Sequence, residues 1–262
     1  MESRQKKQGS EEIAKPDVQF DEIAFLYDDL MAGVPYGVWA DYIQRILNRF
    51  EFIPETVLDL CCGTGSVSFR LAFQGYEVTG ADISAEMIAQ AEKNAQKLGI
   101  KADFHVQDAA KLRLGKRFDL VVSLFDSLNY ILDASALQEA FYRVYDHLEP
   151  GGLFIFDMNT ELALAEGMFN QSNVGSSAST IYDWHSSYDP STRICRVNMD
   201  FIHRGKDKDR KVHIVHYQRA YNVEEITDML KSADLSILDI YDAYTFKKVT
   251  SHSDRVFFVV RK

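Results

Sequence analysis

The chain has 262 residues, 46% hydrophobic and 26% charged, which excludes a disordered or collagen-like chain and allows one large domain or one domain with an insertion. Its 29 Lys and Arg against 39 Asp and Glu leave a net charge of −10. That balance opposes attraction to phosphate backbones and anionic membranes, so nucleic acid is an unlikely partner and no membrane is expected.

Residues 1–17 are charged and lack the apolar stretch of a secretory signal, so they read as a mobile tail. No apolar run approaches the roughly 18 residues of a membrane span, and a cytoplasmic monomer or homodimer is expected. Residues 18–31 and 36–50 carry apolar side chains at three- and four-residue steps and predict two helices, with Pro35 between them and Gly37 at the start of the second. Residues 56–60 predict a buried strand that gives way at Gly63-Thr64-Gly65 to a helix. A second strand over 77–81 leads to a helix capped by Ser84 and ended by Gly99. Strands at 102–106, 118–124 and 152–156, with a helix across 134–148, continue the alternation of a parallel sheet covered on both faces. From Ile181 the pattern becomes period two, at 181–184, 194–201 and 212–217, which predicts antiparallel strands. A helix at 223–233 and strands at 235–241 and 255–260 complete the chain.

Gly63 and Gly65 between a strand and a helix start let a backbone approach an anionic or polar ligand closely. Asp82 closes the second strand 19 residues after Gly63, where a carboxylate can accept bonds from ribose hydroxyls; alternatively it only starts the helix ahead of Ser84. Ser68 stands where a dinucleotide fingerprint has its third glycine, which weakens a nicotinamide oxidoreductase reading. Cys61 and Cys62 read as packing residues. The histidines show no metal-ligand spacing, and no metal is expected. His203 to Lys211 holds five Lys/Arg and two Asp and reads either as a solvated turn or as a grip on RNA phosphates.

In this combination the sequence resembles the class I S-adenosylmethionine-dependent methyltransferases. Asp59-Leu60-Cys61-Cys62-Gly63-Thr64-Gly65 is similar to their cofactor loop, Gly80-Ala81-Asp82-Ile83-Ser84 to the ribose-binding strand end, and Val106-Gln107-Asp108-Ala109 to the segment that meets adenine. Phe118 to Ser123 and Leu148 to Asp157 resemble the fourth strand and the turn into the fifth. The resemblance implies an α/β, Rossmann-like seven-stranded sheet of order 3-2-1-4-5-7-6, with the last strand antiparallel and an inserted antiparallel accessory sheet. It implies lid helices over 18–50, a cofactor-binding core at 51–160 and 220–262, and an inserted substrate or assembly subdomain at 161–219. S-adenosyl-L-methionine is the implied cofactor, held by Tyr27, Tyr36, Trp39, Asp59, Gly63, Gly65, Asp82, Ile83, Asp108, Ala109 and Leu124. The lid is expected to close over it, with Gly33 and Gly37 as hinges.

The implied activity is methyl transfer to an amine or hydroxyl of a small-molecule acceptor, as in glycine- and aminosugar-type N-methyltransferases. RNA or protein methylation, or a non-catalytic cofactor-binding module, stands as the alternative. Asp126 is a candidate to orient or deprotonate the acceptor, with Tyr27 and Tyr130 offering phenol oxygens near the sulfonium. Equally, Asp126 and Ser127 cap a following helix and Tyr130 packs. The accessory strands place Trp184 and Arg196 as substrate-binding candidates: Trp184 in an apolar wall with Tyr188, Met199, Phe201 and Tyr217, and Arg196 to meet an acidic substrate. His216 is a second candidate beside Arg196 for meeting an acidic substrate.

Overall fold

A computed structural model describes residues 20–31, 33–172, 180–204 and 209–262. The expected tail and Lys206, Asp207 and Lys208 of the charged turn lie outside the described residues. The described chain opens with a 3-10 turn at Asp21–Ile23, then α1 (Ala24–Leu30) and α2 (Tyr36–Arg49). There follow β1 (Thr56–Leu60), α3 (Ser66–Phe73), β2 (Glu77–Asp82), α4 (Ala85–Leu98), β3 (Asp103–Val106), β4 (Phe118–Ser123), α5 (Ala134–His147) and β5 (Leu148–Asn159). Next come α6 (Glu161–Ala165), β6 (Gln171–Ser172), β7 (Thr180–Asp189), β8 (Ile194–His203) and β9 (Arg210–Arg219). The chain ends with α7 (Val223–Ser232), β10 (Ser236–Asp242) and β11 (Arg255–Arg261).

Seven strands form one sheet in the order β3-β2-β1-β4-β5-β11-β10. Strands β1 to β5 pair in parallel, while β11 runs antiparallel to both β5 and β10. With the accessory strands left out of the count, this is the order 3-2-1-4-5-7-6. The central strands are buried on both faces, and their residues alternate between two cores. Leu58, Leu60, Val121, Phe154 and Phe156 pack beside α5 and α7 residues. Val57, Leu120, Val122, Leu153 and Ile155 pack beside α2 and α3 residues. Local chemistry sets the helix limits. Ser84 accepts from the Met87 amide and Gly99 takes the left-handed conformation to bound α4, while Asn222 and Glu225 form a reciprocal capping box on α7.

The helix expected over 18–31 is shorter, since α1 has two turns and no side-chain N-cap. A helix of that length is marginal alone and is held by tertiary packing, here by Ile23, Ala24 and Leu26, all buried. The accessory sheet has four strands, β6-β7-β8-β9, all antiparallel. Its three long strands run ten residues each, beyond the alternating segments legible in sequence. The β7–β8 hairpin extends because Asp189 accepts from the Ser191 amide at 2.9 Å and the Thr192 hydroxyl at 2.9 Å, closing a tight turn. Helix α6 and strand β6 were not anticipated. Beneath this sheet Cys195, Val197, Met199, Phe201, Val212 and Ile214 join Ile23 and Leu164 in a third core.

Candidate active site

The carboxyl ends of β1, β2 and β4 meet at one edge of the main sheet. Gly63 and Gly65 lie there with φ of +54° and +86°, a region that favours glycine. A Cβ on Gly65 would stand 2.7 Å from the Phe69 ring, whereas one on Gly63 would point into open space. The open side of Gly63 borders a cavity. Asp82 accepts hydrogen bonds from the Gly63 amide at 2.8 Å and the Ser84 amide at 3.0 Å. One carboxylate thus ties the glycine loop to the start of α4, so the helix-start role is real and coexists with its place on the cavity wall. Burial pushes the Asp82 carboxyl up and these amides oppose the shift.

Asp59 is buried and accepts from the Ser68 hydroxyl at 2.5 Å. Burial raises its pKa to about 7, against the Ser68 bond and with help from Asp82. Asp59 supports the loop from behind and does not line the cavity; nor do Gly65, Tyr36, Trp39 or Leu124. Trp39 is buried against Phe125 and stacks on Tyr244 at 6.0 Å. Tyr36 packs edge-on against Trp39 at 5.1 Å.

The N-terminal segment is bonded to the glycine loop and to α4. Asp28 accepts from the Thr64 hydroxyl at 2.6 Å and the Asn94 amide at 2.7 Å, and Asp21 accepts from the Ser84 hydroxyl at 2.5 Å. The Tyr27 hydroxyl is held well above its ordinary pKa by burial, with neighbouring Tyr36, Tyr130 and Asp126 adding to the shift. It therefore stays a neutral phenol.

The cavity measures about 1020 Å³, the upper end of the range for ligand pockets. Gly63, Asp82, Ile83, Asp108 and Ala109 line one half, as does Tyr27. Asp108 also accepts from the Ala110 amide at 2.9 Å, which fixes its carboxylate at the end of β3. Asp126, Tyr130, Trp184, Met199, Phe201 and His216 line the other half. Phe20, Phe125 and Arg255 line it too, although none of them was named as a site residue from the sequence.

Arg196 is a correction. On β8, Cys195, Val197, Met199 and Phe201 turn inward to the third core, so period two sends Arg196 to the opposite face. The register pairs Arg196 with Tyr217 and Val197 with His216. Tyr217 therefore leaves the wall in which it was expected, Arg196 turns away from the cavity, and His216 lines it.

Asp126 does not cap the 3-10 turn Ser127–Tyr130 through its side chain. Its carboxylate accepts from Arg255 Nη2 at 2.6 Å and from Gln218 Nε2 at 2.5 Å. Asp157 pairs with the other guanidinium nitrogen, Arg255 Nη1. Burial pushes the Asp126 carboxyl up, and Arg255 partly offsets that. Among the described residues, no group of three or more His, Cys, Asp or Glu is placed to hold a metal. Burial also pushes the Cys61 and Cys62 thiols well up, which disfavours thiolate chemistry.

This site, on the carboxyl edge of a sheet of order 3-2-1-4-5-7-6, defines the class I methyltransferase architecture. A family model described as a methyltransferase domain matches residues 57–152. A chain named as a methyltransferase in Geobacillus sp. (strain WCH70) is 32% identical over 247 residues, covering 93% of this chain and 99% of that one. The crystal structure of an S-adenosylmethionine-dependent methyltransferase from Clostridium acetobutylicum ATCC 824 superposes with a TM-score of 0.82 at 31% identity, covering 92% and 98% of the two chains. A dTDP-3-amino-3,4,6-trideoxy-alpha-D-glucopyranose N,N-dimethyltransferase of Streptomyces venezuelae is 31% identical over 125 residues, 48% of this chain and 51% of that one. The chain belongs to the S-adenosylmethionine-dependent methyltransferases, and S-adenosylmethionine is its cofactor. The residues present fit that group: the open side of Gly63 and the cavity-facing carboxylates of Asp82 and Asp108 leave a polar cradle between the apolar Ile83 and Ala109. No helix among the described residues is long and apolar enough to cross a membrane.

Proposed function

We propose that this enzyme methylates an amine or hydroxyl of a small molecule held between the glycine loop and the accessory sheet. One observation carries the reading: a single cavity joins Gly63, Asp82 and Asp108 to Trp184, Met199 and His216. The cofactor half and the half beside the accessory sheet are thus continuous, and the volume is large enough for two ligands. The aminosugar specificity in the name of the Streptomyces venezuelae relative supports a small acceptor.

Bound S-adenosylmethionine supplies an electrophilic methyl group. Tyr27, Asp82 and Asp108 bind and orient it, while Tyr36 and Trp39 hold Tyr27 and Phe125 from behind. With the methyl group supplied by the bound cofactor, an acceptor beside Asp126 would be methylated and Asp126 would take the proton that the acceptor gives up. Burial pushes the Asp126 carboxyl up from the ordinary carboxylate value, the direction that favours proton acceptance, although Arg255 and Gln218 oppose it. Tyr130 and Trp184 exclude water from the transfer.

The test supplies methyl-labelled S-adenosylmethionine with a size-fractionated metabolite pool, and separately with tRNA and with protein from the same cells. Label in a small-molecule fraction, matched by S-adenosylhomocysteine, is expected. Label only in tRNA or protein, or cofactor binding with no turnover in any fraction, overturns the reading.

A further inference from the structure

The turn after β4 is a strained element of the cavity, one of two there, since Cys61 also has a φ of +62°. Phe125 and Asp126 are consecutive non-glycine residues with φ of +68° and +50°, a backbone region that costs side-chain-bearing residues energy and persists only where the surroundings impose it. The surroundings here are Asp157 and Arg255. Asp157 accepts from the Phe125 amide at 2.7 Å and the Asp126 amide at 3.2 Å. Arg255 then grips Asp157 with one nitrogen and the Asp126 carboxylate with the other, the latter at 2.6 Å. Asp157 is 1% exposed and Asp126 is 4% exposed, so these bonds lie out of water's competition. The guanidinium is a planar fork that can serve two carboxylates at once, which a lysine cannot do.

We propose that Arg255 is a positioning residue for methyl transfer: it holds the Phe125–Asp126 turn in its left-handed conformation and aims the Asp126 carboxylate at the acceptor. This rests on the reading of Asp126 as the group that meets the acceptor. Topology explains how one residue reaches both acids. Because β11 is antiparallel to β5, its first residue lies opposite Asn159 at the carboxyl end of β5. Gln218 of β9 completes the grip on Asp126 from the accessory sheet. The other ionisable groups around Asp126 are Asp157 on β5, Tyr27 from the N-terminal segment, Tyr130 on its own turn and Tyr244 beside Arg255. His216 lines the same cavity from β9.

The test titrates the Asp126 carboxyl carbon by NMR in aspartate-labelled protein saturated with S-adenosylhomocysteine, with the resonance assigned through Asp126→Asn. In Arg255→Met, which keeps the packing and removes the charge, the midpoint is expected to rise by at least about one pH unit, a tenfold gain in proton affinity. An unchanged midpoint in the folded variant overturns the proposal and leaves Arg255 a packing residue. Should Arg255→Met fail to fold, Arg255→Lys decides the matter. Hydrogen exchange at the Phe125 and Asp126 amides is expected to quicken at least tenfold there, and wild-type exchange overturns the proposal. Turnover in Asp126→Asn separates the two levels. A loss of at least tenfold supports the acceptor role of Asp126. Full activity overturns that role, and the purpose assigned to Arg255 with it, whatever the titration shows.

Discussion

Ser68 donates its hydroxyl proton to the Asp59 carboxylate at 2.5 Å, joining the end of β1 to the first turns of α3 across the glycine loop. The serine occupies the place where a dinucleotide-binding loop carries its third glycine for close helix packing. A fully buried hydroxyl serves as the contact here, and the acid before the glycines is its acceptor.

This pair predicts a pH dependence of stability. The Asp59 carboxyl is raised to about 7 in the folded protein by burial, above its unfolded value near 4. Between those two values the folded state binds more protons, so the Asp59 contribution falls as pH rises from about 4 to 7. Asp59→Asn retains an acceptor for Ser68 and removes the charge. Urea unfolding is expected to show the variant gaining on the wild type between pH 5 and pH 8, by up to roughly 1.4 kcal/mol per pH unit. A constant difference across that range would show that Asp59 does not titrate there.

Asp82→Ala removes the acceptor of the Gly63 and Ser84 amides and a carboxylate from the cavity wall. Calorimetry should show S-adenosylhomocysteine binding weakened at least about tenfold, since a charge-assisted bond contributes about 1.5–3 kcal/mol. NAD should bind neither protein with comparable affinity. An unchanged dissociation constant in a folded variant would confine Asp82 to starting α4.

Lid behaviour is testable at Asp28, whose carboxylate links α1 to Thr64 and Asn94. Asp28→Ala should speed amide exchange across Ala24–Leu30, and bound S-adenosylhomocysteine should restore part of the protection. If cofactor leaves the exchange of this segment unchanged in both proteins, the segment is fixed scaffold and no lid.

Trp184 and Arg196 sit on opposite faces of the accessory sheet and should behave differently. Trp184→Ala opens the cavity wall, so turnover with the labelled metabolite pool should fall at least fivefold while calorimetric cofactor affinity stays within about twofold. Arg196→Ala should leave turnover within about twofold. A fall in oligomeric state with unchanged turnover in Trp184→Ala would reassign this face to assembly.

Much of the cavity half beside the glycine loop was legible in the sequence because its signals are short-range. A glycine turn between a strand and a helix, an acid at each strand end and the Ser84 and Gly99 caps all declare themselves within a few residues of the backbone they control. The sequence also determined the strand order, through the resemblance carried by those segments. Tertiary structure alone decided the other half. Arg255 and Gln218 meet Asp126 from 129 and 92 residues away, so no local pattern marks them, although an arginine at the start of the antiparallel last strand was a usable hint. Period two showed that Trp184 and Arg196 lie on strands without saying which face meets the cavity. That parity is settled by the register of β7, β8 and β9 and by the core under them, because a one-residue shift in pairing sends every side chain to the other side. Trp39 was implied as a cofactor contact by its place in the lid segment, yet it packs against Phe125 and Tyr244 and does not line the cavity. Aromatic rings bury wherever apolar surface is offered, and only the assembled fold shows which surface that is.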